Sequence, residues 1–371
     1  MPNNGGKGTE FEYSVCQLFL EQNYFTRRSI PIKSVINQDI TDIDVLGIKY
    51  AYPFEKKMII CDCKNKARSK PFERMFWTKG VGEYIGVDDE YIALPKIGYD
   101  VIEFSKKCKV RVISQNELAE YTKRQVGYAD FNYYGKYMEI LEDKKTGDPQ
   151  VLKYLPLLKK EYVSTNPYVT LNIALLILNK LSQGKWSEDG KRLIFAEGVT
   201  LVSYALLDIC RDVFGMNAEL REQYIAERLT YGDSDESYIN GLIDSMTRYA
   251  NEVLMEKIPK EFYDKNLVDR IEIPAPHYTK SCIAIIERAY KNPEWYIELL
   301  RDMDFILFEF MLKKQKFSQD YFAEYCKNNL VMEKLKACKN VLFFVCSSAA
   351  IHLNDIWVEE KDFIPQKLVQ Q

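Results

Sequence analysis

The sequence is poor in the residues and runs that mark several common classes of protein. Its 371 residues include only two histidines, His277 and His352, which lie far apart and read as structural residues. The longest apolar run, at 341–353, is shorter than the roughly 20 residues that a membrane span needs and reads as a buried helix. The first residues are polar and glycine-rich and do not resemble a signal peptide. We therefore expect a soluble, cytoplasmic protein with no membrane association.

Motifs for zinc and for nucleotides are incomplete. Nine cysteines are scattered along the chain, and the Cys-x-Cys of Cys61 and Cys63 has no matching second pair, so we do not expect a zinc site. The glycine-rich "GGKG" near the start lacks the preceding strand and the Lys-Ser/Thr ending of a P-loop. The net charge of −3 excludes a polycation, so any nucleic-acid surface must be local.

The patterning that is present indicates two domains. Residues 1–126 alternate helical periodicity, as in 9–23 and 71–86, with runs rich in Ile and Val, as in 42–50 and 57–64. This alternation predicts an α/β domain with a central sheet flanked by helices. Residues 127–150 read as a connector. Residues 151–371 are helical nearly throughout and predict an all-α domain.

Charged residues stand at the ends of two predicted strands. In "MIICDCK", alternation places Asp62 and Lys64 on one face and Cys61 and Cys63 on the face that a helix buries. In "TDIDVLG", Asp44 shares a face with Asp42, which is either an outer partner of the site or an exposed strand acid. Two strands thus deliver carboxylates near their ends, and one of them also delivers a lysine.

A third acid is available on the first predicted helix. Glu12 lies beside the apolar stripe of that helix and can reach the edge of the sheet, whereas Glu10 faces elsewhere. Glu12, Asp44 and Asp62 form an all-oxygen set, which suits hard cations such as Mg²⁺ or Mn²⁺. Lys64 is then placed to orient or deprotonate a water and to neutralise charge on a phosphoryl group.

The order helix acid, strand acid, then Asp62-Cys63-Lys64 resembles the PD-(D/E)xK nuclease superfamily, the restriction-endonuclease-like fold, and in particular its Mrr-like branch. The resemblance covers roughly residues 5–125 and implies metal-dependent hydrolysis of phosphodiester bonds. It makes Glu12, Asp44 and Asp62 the metal ligands and adds Lys64 as the catalytic lysine. The sequence departs from the pattern in two ways: Ile43 rather than proline precedes Asp44, and Asp62 replaces the commoner glutamate.

A local excess of positive charge surrounds the motif. Residues 49–79 contain nine bases against three acids, in a chain of net charge −3. We predict that four of these bases contact nucleic acid: Lys66, Arg68, Lys70 and Arg74. A solvated loop is the competing interpretation. For the neighbouring Phe76 and Trp77 we favour core packing over stacking on bases.

The sequence therefore predicts a metal-dependent endonuclease that acts on double-stranded DNA, with a helical domain that regulates or targets it and offers a surface for a homodimer or a protein partner. By analogy, such a pairing suggests restriction or antiphage defence. The alternative is a nucleic-acid-binding module with a degenerate site, joined to a helical interaction scaffold. RNA as the substrate stays open, because contacts to the 2′-hydroxyl cannot be read from the sequence.

Overall fold

A computed structural model describes residues 6–34, 38–65, 70–121, 137–143, 145–234, 236–259, 269–314, 317–326 and 329–353. Its N-terminal part contains a five-stranded mixed sheet flanked by helices, and its C-terminal part is largely helical. Both parts of the predicted architecture are therefore confirmed at this level. The predicted domain limits stay a prediction.

The sheet is built in chain order from three consecutive strands, followed by two strands that alternate with helices. The chain begins with helix α1, and the remaining elements follow one another to the end of the α/β part. Their bounds are α1 Gly6–Glu21, β1 Phe25–Lys33, β2 Asp39–Ala51, β3 Glu55–Cys63, α2 Pro71–Ile85, β4 Asp89–Leu94, α3 Tyr99–Cys108, β5 Val110–Ser114 and α4 Gln115–Tyr121. Ser114 caps α4: its Oγ accepts a hydrogen bond from the backbone N–H of Glu117 at 3.2 Å.

The strand order is β1-β2-β3-β4-β5, with β1, β2 and β3 antiparallel and β3, β4 and β5 parallel. Alternation gives the sheet two distinct faces. Helix α1 covers the face that carries Gly47, because a Cβ at Gly47 would lie 3.3 Å from the Phe19 ring of α1. Helix α2 covers the opposite face, where Met75 packs with Ile92 of β4. The odd-numbered cysteines of β3 thus face α1, and Asp62 faces α2.

The C-terminal part is largely helical. From residue 145 onward, the described ranges contain ten α-helices: α5 Pro149–Lys160, α6 Pro167–Asn179, α7 Glu188–Asp212, α8 Ala218–Tyr231, α9 Glu236–Lys257, α10 Thr279–Lys291, α11 Pro293–Tyr296, α12 Leu299–Ile306, α13 Gln319–Cys326 and α14 Val331–Ser348. A π-helical turn, Leu307–Leu312, directly continues α12. The apolar run at 341–353 is a buried helix up to Ser348, which confirms most of that prediction.

Helix α7 is the centre of the helical part. It is long and apolar enough to cross a membrane, but every residue of its most hydropathic window is buried inside the protein, so it is a core helix. Helices α5 and α12 contact β1, and α7 contacts β3. One continuous hydrophobic core consequently includes residues of the sheet and of the helices.

Charged side chains also join the helical part to the sheet. Arg27 of β1 donates to Glu197 of α7 at 3.0 Å and to Asp304 of α12 at 2.5 Å. All three side chains are at most 5% exposed. We call Arg27, Glu197 and Asp304 the interior cluster. At a second contact, Lys56 donates to Asp208 of α7 at 2.7 Å.

Three details differ from the sequence-based expectation. Strand β1 was not predicted, since its two arginines and a proline interrupt the apolar pattern. The two glycines at 80 and 82 predict an interruption of the second helix, but α2 is continuous through Gly80 and Gly82. Gly82 is explained by packing, because a Cβ there would lie 2.5 Å from Oε1 of Glu90. The core packing expected for Phe76 is wrong: its side chain points away from the sheet and the residue is 64% exposed.

Candidate active site at the ends of β2 and β3

The pairing of β2 with β3 brings the two predicted aspartates together. Val45 lies opposite Cys61 in the last pair of the antiparallel ladder. Asp44 and Asp62 are the next residues beyond this pair, and both lie 3.2 Å from Nζ of Lys64. Oδ2 of Asp44 accepts a hydrogen bond from the backbone N–H of Cys63 at 2.7 Å, which fixes the carboxylate against the end of β3. The two predicted aspartates thus lie close together, but β2 begins at Asp39, so Asp44 lies inside its strand and not near the strand's end as the sequence predicts.

Lys64 lies between the two carboxylates. Its Nζ is 3.2 Å from Oδ2 of Asp44 and 3.2 Å from Oδ1 of Asp62. Burial lowers the pKa of Lys64, but the charges of Asp62 and Asp44 outweigh it, and the net pKa is raised. Lys64 is therefore an ammonium at neutral pH and acts in this arrangement as a cation rather than as a base.

Arg74 closes the other side of Asp62. Its guanidinium donates from Nε to Oδ2 at 2.8 Å and from Nη2 to Oδ1, so it holds both carboxylate oxygens. The same guanidinium stacks over the ring of Trp77, 4.1 Å from its centroid. We call Asp44, Asp62, Lys64 and Arg74 the strand-end cluster. Arg74 was predicted to contact nucleic acid, and its partner in the structure is Asp62.

Glu12 approaches the cluster from the other face of the sheet. Its Oε2 accepts from Nε of Arg28 at 2.8 Å, and it makes no ion pair with Lys64 among the residues that the structure describes. Burial raises the pKa of Glu12, Arg28 opposes this, and the negative charge of Asp44 raises it further. Glu12 is thus within electrostatic range of Asp44 but is held by Arg28. Glu10 and Asp42 are exposed.

The donor set suits a hard divalent cation in chemistry but is not arranged as a finished cage. Oδ1 of Asp44 and Oε1 of Glu12 accept no hydrogen bond from the described part of the chain, and carboxylate oxygens are the ligands that Mg²⁺ and Mn²⁺ prefer. Burial raises the pKa of Asp44, while Lys64 opposes this. Within the described ranges no three acidic, histidine or cysteine side chains surround a common point closely enough to hold an ion. Of the three carboxylates, Asp62 is the one whose two oxygens both already accept hydrogen bonds, from Arg74.

Most of the described bases in the predicted basic patch pair with acids, some within the segment and some outside it. Lys66 and Arg68 lie outside the described residues. Lys70 pairs with Glu73 on the protein surface, 2.9 Å away. Three further bases between residues 49 and 79 pair with partners outside that segment: Lys56 with Asp208, Lys57 with Asp89, and Lys79 with Glu90. The unpaired positive charge of this segment is therefore smaller than the excess of bases over acids in its sequence.

Sequence reasoning missed two features of this site. Arg28, which holds Glu12, lies on the strand that was not predicted. The pairing of Arg74 with Asp62 was also missed, although a signal exists: Arg74 lies one turn inside a helix that begins shortly after the strand of Asp62. A base in the first turns of such a helix can fold back onto the end of the strand.

Comparisons of the chain with protein-family models, with curated proteins and with solved structures find no match.

Proposed function

We propose that this protein is a metal-dependent endonuclease with its active site at the strand-end cluster. The observation that carries the proposal is the position of Lys64, whose ammonium lies 3.2 Å from each of two carboxylates on adjacent strands. An acid-bearing strand next to a strand that ends in acid-x-Lys is the arrangement that the PD-(D/E)xK resemblance implies. An accidental surface cluster does not require Asp62 to be almost completely buried, with a side chain only 1% exposed.

The connectivity of the sheet supports a restriction-endonuclease-like fold for the α/β part. A helix precedes three antiparallel strands, and a helix then leads to a strand parallel to β3. This order places the helix acid, the strand acid and the acid-x-Lys on three successive parts of one unit. We therefore propose Asp44 and Asp62 as metal ligands, with Glu12 as the third ligand once it leaves Arg28.

The residues of the chain have separable roles in phosphodiester hydrolysis. A bound Mg²⁺ or Mn²⁺ supplies an activated water and a Lewis acid for the phosphoryl oxygens. Lys64 provides positive charge beside the scissile phosphate, where negative charge develops in the transition state. The backbone N–H of Cys63 orients Asp44 for this task. We propose double-stranded DNA as the substrate and the cytoplasm as the location. The helical part would bind a second copy of the chain or a protein partner. By analogy, we propose restriction or defence against phage as the biological role.

The direct test is cleavage of supercoiled plasmid by purified protein in Mg²⁺ or Mn²⁺, with an EDTA control. Asp62→Ala and Lys64→Ala are the site variants. Lys57→Ala is a matched control, because Lys57 lies on the same strand and pairs with Asp89 away from the cluster. Nicking or linearisation that both site variants and EDTA abolish, and that the control retains, supports the proposal. Cleavage that survives both site variants contradicts it, and a parallel assay with RNA tests the other substrate.

A second candidate function is supported by Arg74. Both oxygens of Asp62 are already bonded within the chain, as expected in a nucleic-acid-binding module whose site no longer takes a metal. Such a module binds DNA with equal affinity in wild type and in Asp62→Ala, and cleaves neither DNA nor RNA. Salt-sensitive binding without any cleavage would favour this candidate over the nuclease.

A further inference from the structure

We propose that Arg74 competes with the metal ion for Asp62, and that a nucleic-acid phosphate relieves this competition by drawing the guanidinium away. Metal and nucleic acid then bind with positive coupling. This inference rests on the proposed nuclease function and adds a form of regulation to it. Both carboxylate oxygens of Asp62 accept hydrogen bonds from Arg74, and Oδ1 also faces Lys64.

The competition is asymmetric between the two aspartates. Asp44 keeps Oδ1 without a hydrogen bond from the described residues, so a cation can reach it without displacing anything. Asp62 has a side chain that is only 1% exposed, and its two oxygens are engaged by Arg74. A divalent ion that uses both aspartates must displace Arg74 or come to rest beside a guanidinium, which repels it. Arg74 therefore lowers the affinity of the site for the metal.

The surroundings of Arg74 favour exchange with a phosphate. Its side chain is 26% exposed, in contrast to that of Asp62, so solvent and a ligand can reach it. A guanidinium presents paired N–H donors, which match a phosphate as well as a carboxylate. The ring of Trp77 supports the planar group on one side. A phosphodiester at the surface can thus take over the donors that Asp62 now uses, which frees Asp62 for the metal.

Thermodynamic linkage relates the effect of nucleic acid on metal affinity to the effect of the metal on nucleic-acid affinity. If the phosphate frees Asp62 and so tightens metal binding by some factor, the metal tightens nucleic-acid binding by the same factor. Couplings of this kind in proteins typically range from about 5-fold to 150-fold. We expect about a 10-fold effect.

Helix α2 offers a matched control. Lys79 also extends from α2 to a buried strand acid, with its Nζ 2.8 Å from Oε1 of Glu90 on β4. The side chain of Glu90 is 3% exposed, so the two ion pairs are alike in burial and in the elements they join. Only the Arg74 pair includes a proposed metal ligand. Removal of either base leaves a buried carboxylate short of a partner, so a difference between the variants reports on the metal.

The experiment measures Mn²⁺ affinity by electron paramagnetic resonance of free Mn²⁺, without nucleic acid, for wild type, Arg74→Gln, Arg74→Lys and Lys79→Gln. We expect Arg74→Gln to bind Mn²⁺ about 10-fold more tightly than wild type, Arg74→Lys to lie between them, and Lys79→Gln to equal wild type. Arg74→Lys keeps the charge but cannot hold both oxygens, so it also serves if Arg74→Gln folds poorly. Circular dichroism spectra establish that each variant is folded.

A second measurement tests the coupling from the side of the nucleic acid. The affinity for a labelled DNA duplex is determined by fluorescence anisotropy in Ca²⁺ and in EDTA. We expect Ca²⁺ to tighten binding by wild type several-fold and to have a much smaller effect on Arg74→Gln. Unchanged or weaker Mn²⁺ binding in folded Arg74→Gln would mean that the pair only fastens α2 to β3, and it would overturn the inference alone. If neither wild type nor folded Arg74→Gln binds Mn²⁺, the proposed nuclease site fails with it.

Discussion

The strand-end cluster and the interior cluster are built from the same groups but differ in their access to solvent. Each places a base against two carboxylates: Arg27 against Glu197 and Asp304 in the interior cluster, and Lys64 against Asp44 and Asp62 in the strand-end cluster. In the interior cluster every side chain is at most 5% exposed, and Arg27 binds acids from two helices. In the strand-end cluster the carboxylate of Asp62 is equally buried, but the cations stay accessible, with Lys64 33% and Arg74 26% exposed. Burial of a carboxylate alone therefore does not distinguish the proposed site from the interior cluster, whereas the solvent exposure of its cations does.

The difference has a physical basis in what each cluster can exchange. A guanidinium sealed among apolar side chains has no alternative partner, so its ion pairs can only hold the structure together. A guanidinium at the surface can exchange a carboxylate for a phosphate at modest cost, because both states are hydrogen-bonded. The two clusters should consequently respond to substitution in opposite ways, one through stability and the other through binding and catalysis.

The largest effect is expected from Arg27→Met. This substitution leaves Glu197 and Asp304 as buried carboxylates without their arginine, and such a loss typically costs about 3–5 kcal/mol of unfolding free energy. The measurement is chemical denaturation followed by circular dichroism. Arg28→Met is the control, since Arg28 is the next residue on β1 and is more exposed. Equal losses of unfolding free energy for the two variants would contradict the expectation that a fully buried arginine stabilises the fold more than a partly exposed one.

The next largest effect is expected from Lys64→Ala, and it should appear in the rate of cleavage rather than in stability. Removal of one group that stabilises transition-state charge typically lowers the rate by about 100-fold or more, which corresponds to about 2.7 kcal/mol. We expect the unfolding free energy to change by less than about 1 kcal/mol, because the ammonium is partly exposed. The measurements are plasmid cleavage and denaturation on one preparation. A Lys64→Ala variant that unfolds easily yet retains its specific activity would contradict the prediction, because Lys64 would then stabilise the fold and not the transition state.

A third prediction uses pH to test another buried acid of the helical part. Burial raises the pKa of Asp302 to about 6, although Lys334 opposes this. Because the folded pKa lies above the unfolded one, the contribution of Asp302 to stability is present below about pH 4 and is lost as the pH rises through about 6. Asp302→Asn should therefore be more stable than wild type near pH 7, by about 1–3 kcal/mol, and the advantage should vanish near pH 4.

Urea denaturation of wild type and Asp302→Asn across this pH range checks the third prediction. Glu298 remains as a partner of Lys334 in the variant, so the lysine is not left alone. A variant that is less stable than wild type at neutral pH would show that the ion pair with Lys334 outweighs burial.

The smallest effect is expected from Lys56→Ala on nucleic-acid binding. Lys56 belongs to the basic segment, but its Nζ donates to Asp208 and to the hydroxyl of Tyr204, at 2.7 and 3.0 Å. We expect the affinity for a DNA duplex to change by less than about 2-fold and the unfolding free energy to fall by about 1 kcal/mol. Anisotropy titrations at two salt concentrations measure the first quantity. A large loss of affinity with a smaller salt dependence would show that Lys56 contacts phosphate after all.

The local sequence was sufficient for most elements of the fold and for the position of the two aspartates. Alternation along β2 and β3 predicted which face each residue joins, and the periodicity of residues 9–23 and 71–86 predicted helices close to α1 and α2. Strand β1 was not predicted, because an arginine that pairs inside the protein cannot be told from a surface arginine in the sequence. Phe76 was assigned to the core because an aromatic side chain is more often buried, whereas its position on α2 directs it outward.

The sequence by itself determined the chemistry that is available: two strand acids, a lysine two residues after the second, and a helix acid within reach. The tertiary structure decided what each charge faces. Asp89, Glu90 and Asp208 neutralise bases that appear as a free patch in the sequence, Arg28 holds Glu12, and Arg74 holds Asp62. The reason is that strand and helix periodicity act over a few residues and are written locally. The energy of a charge instead depends on partners and burial that only the folded chain brings together.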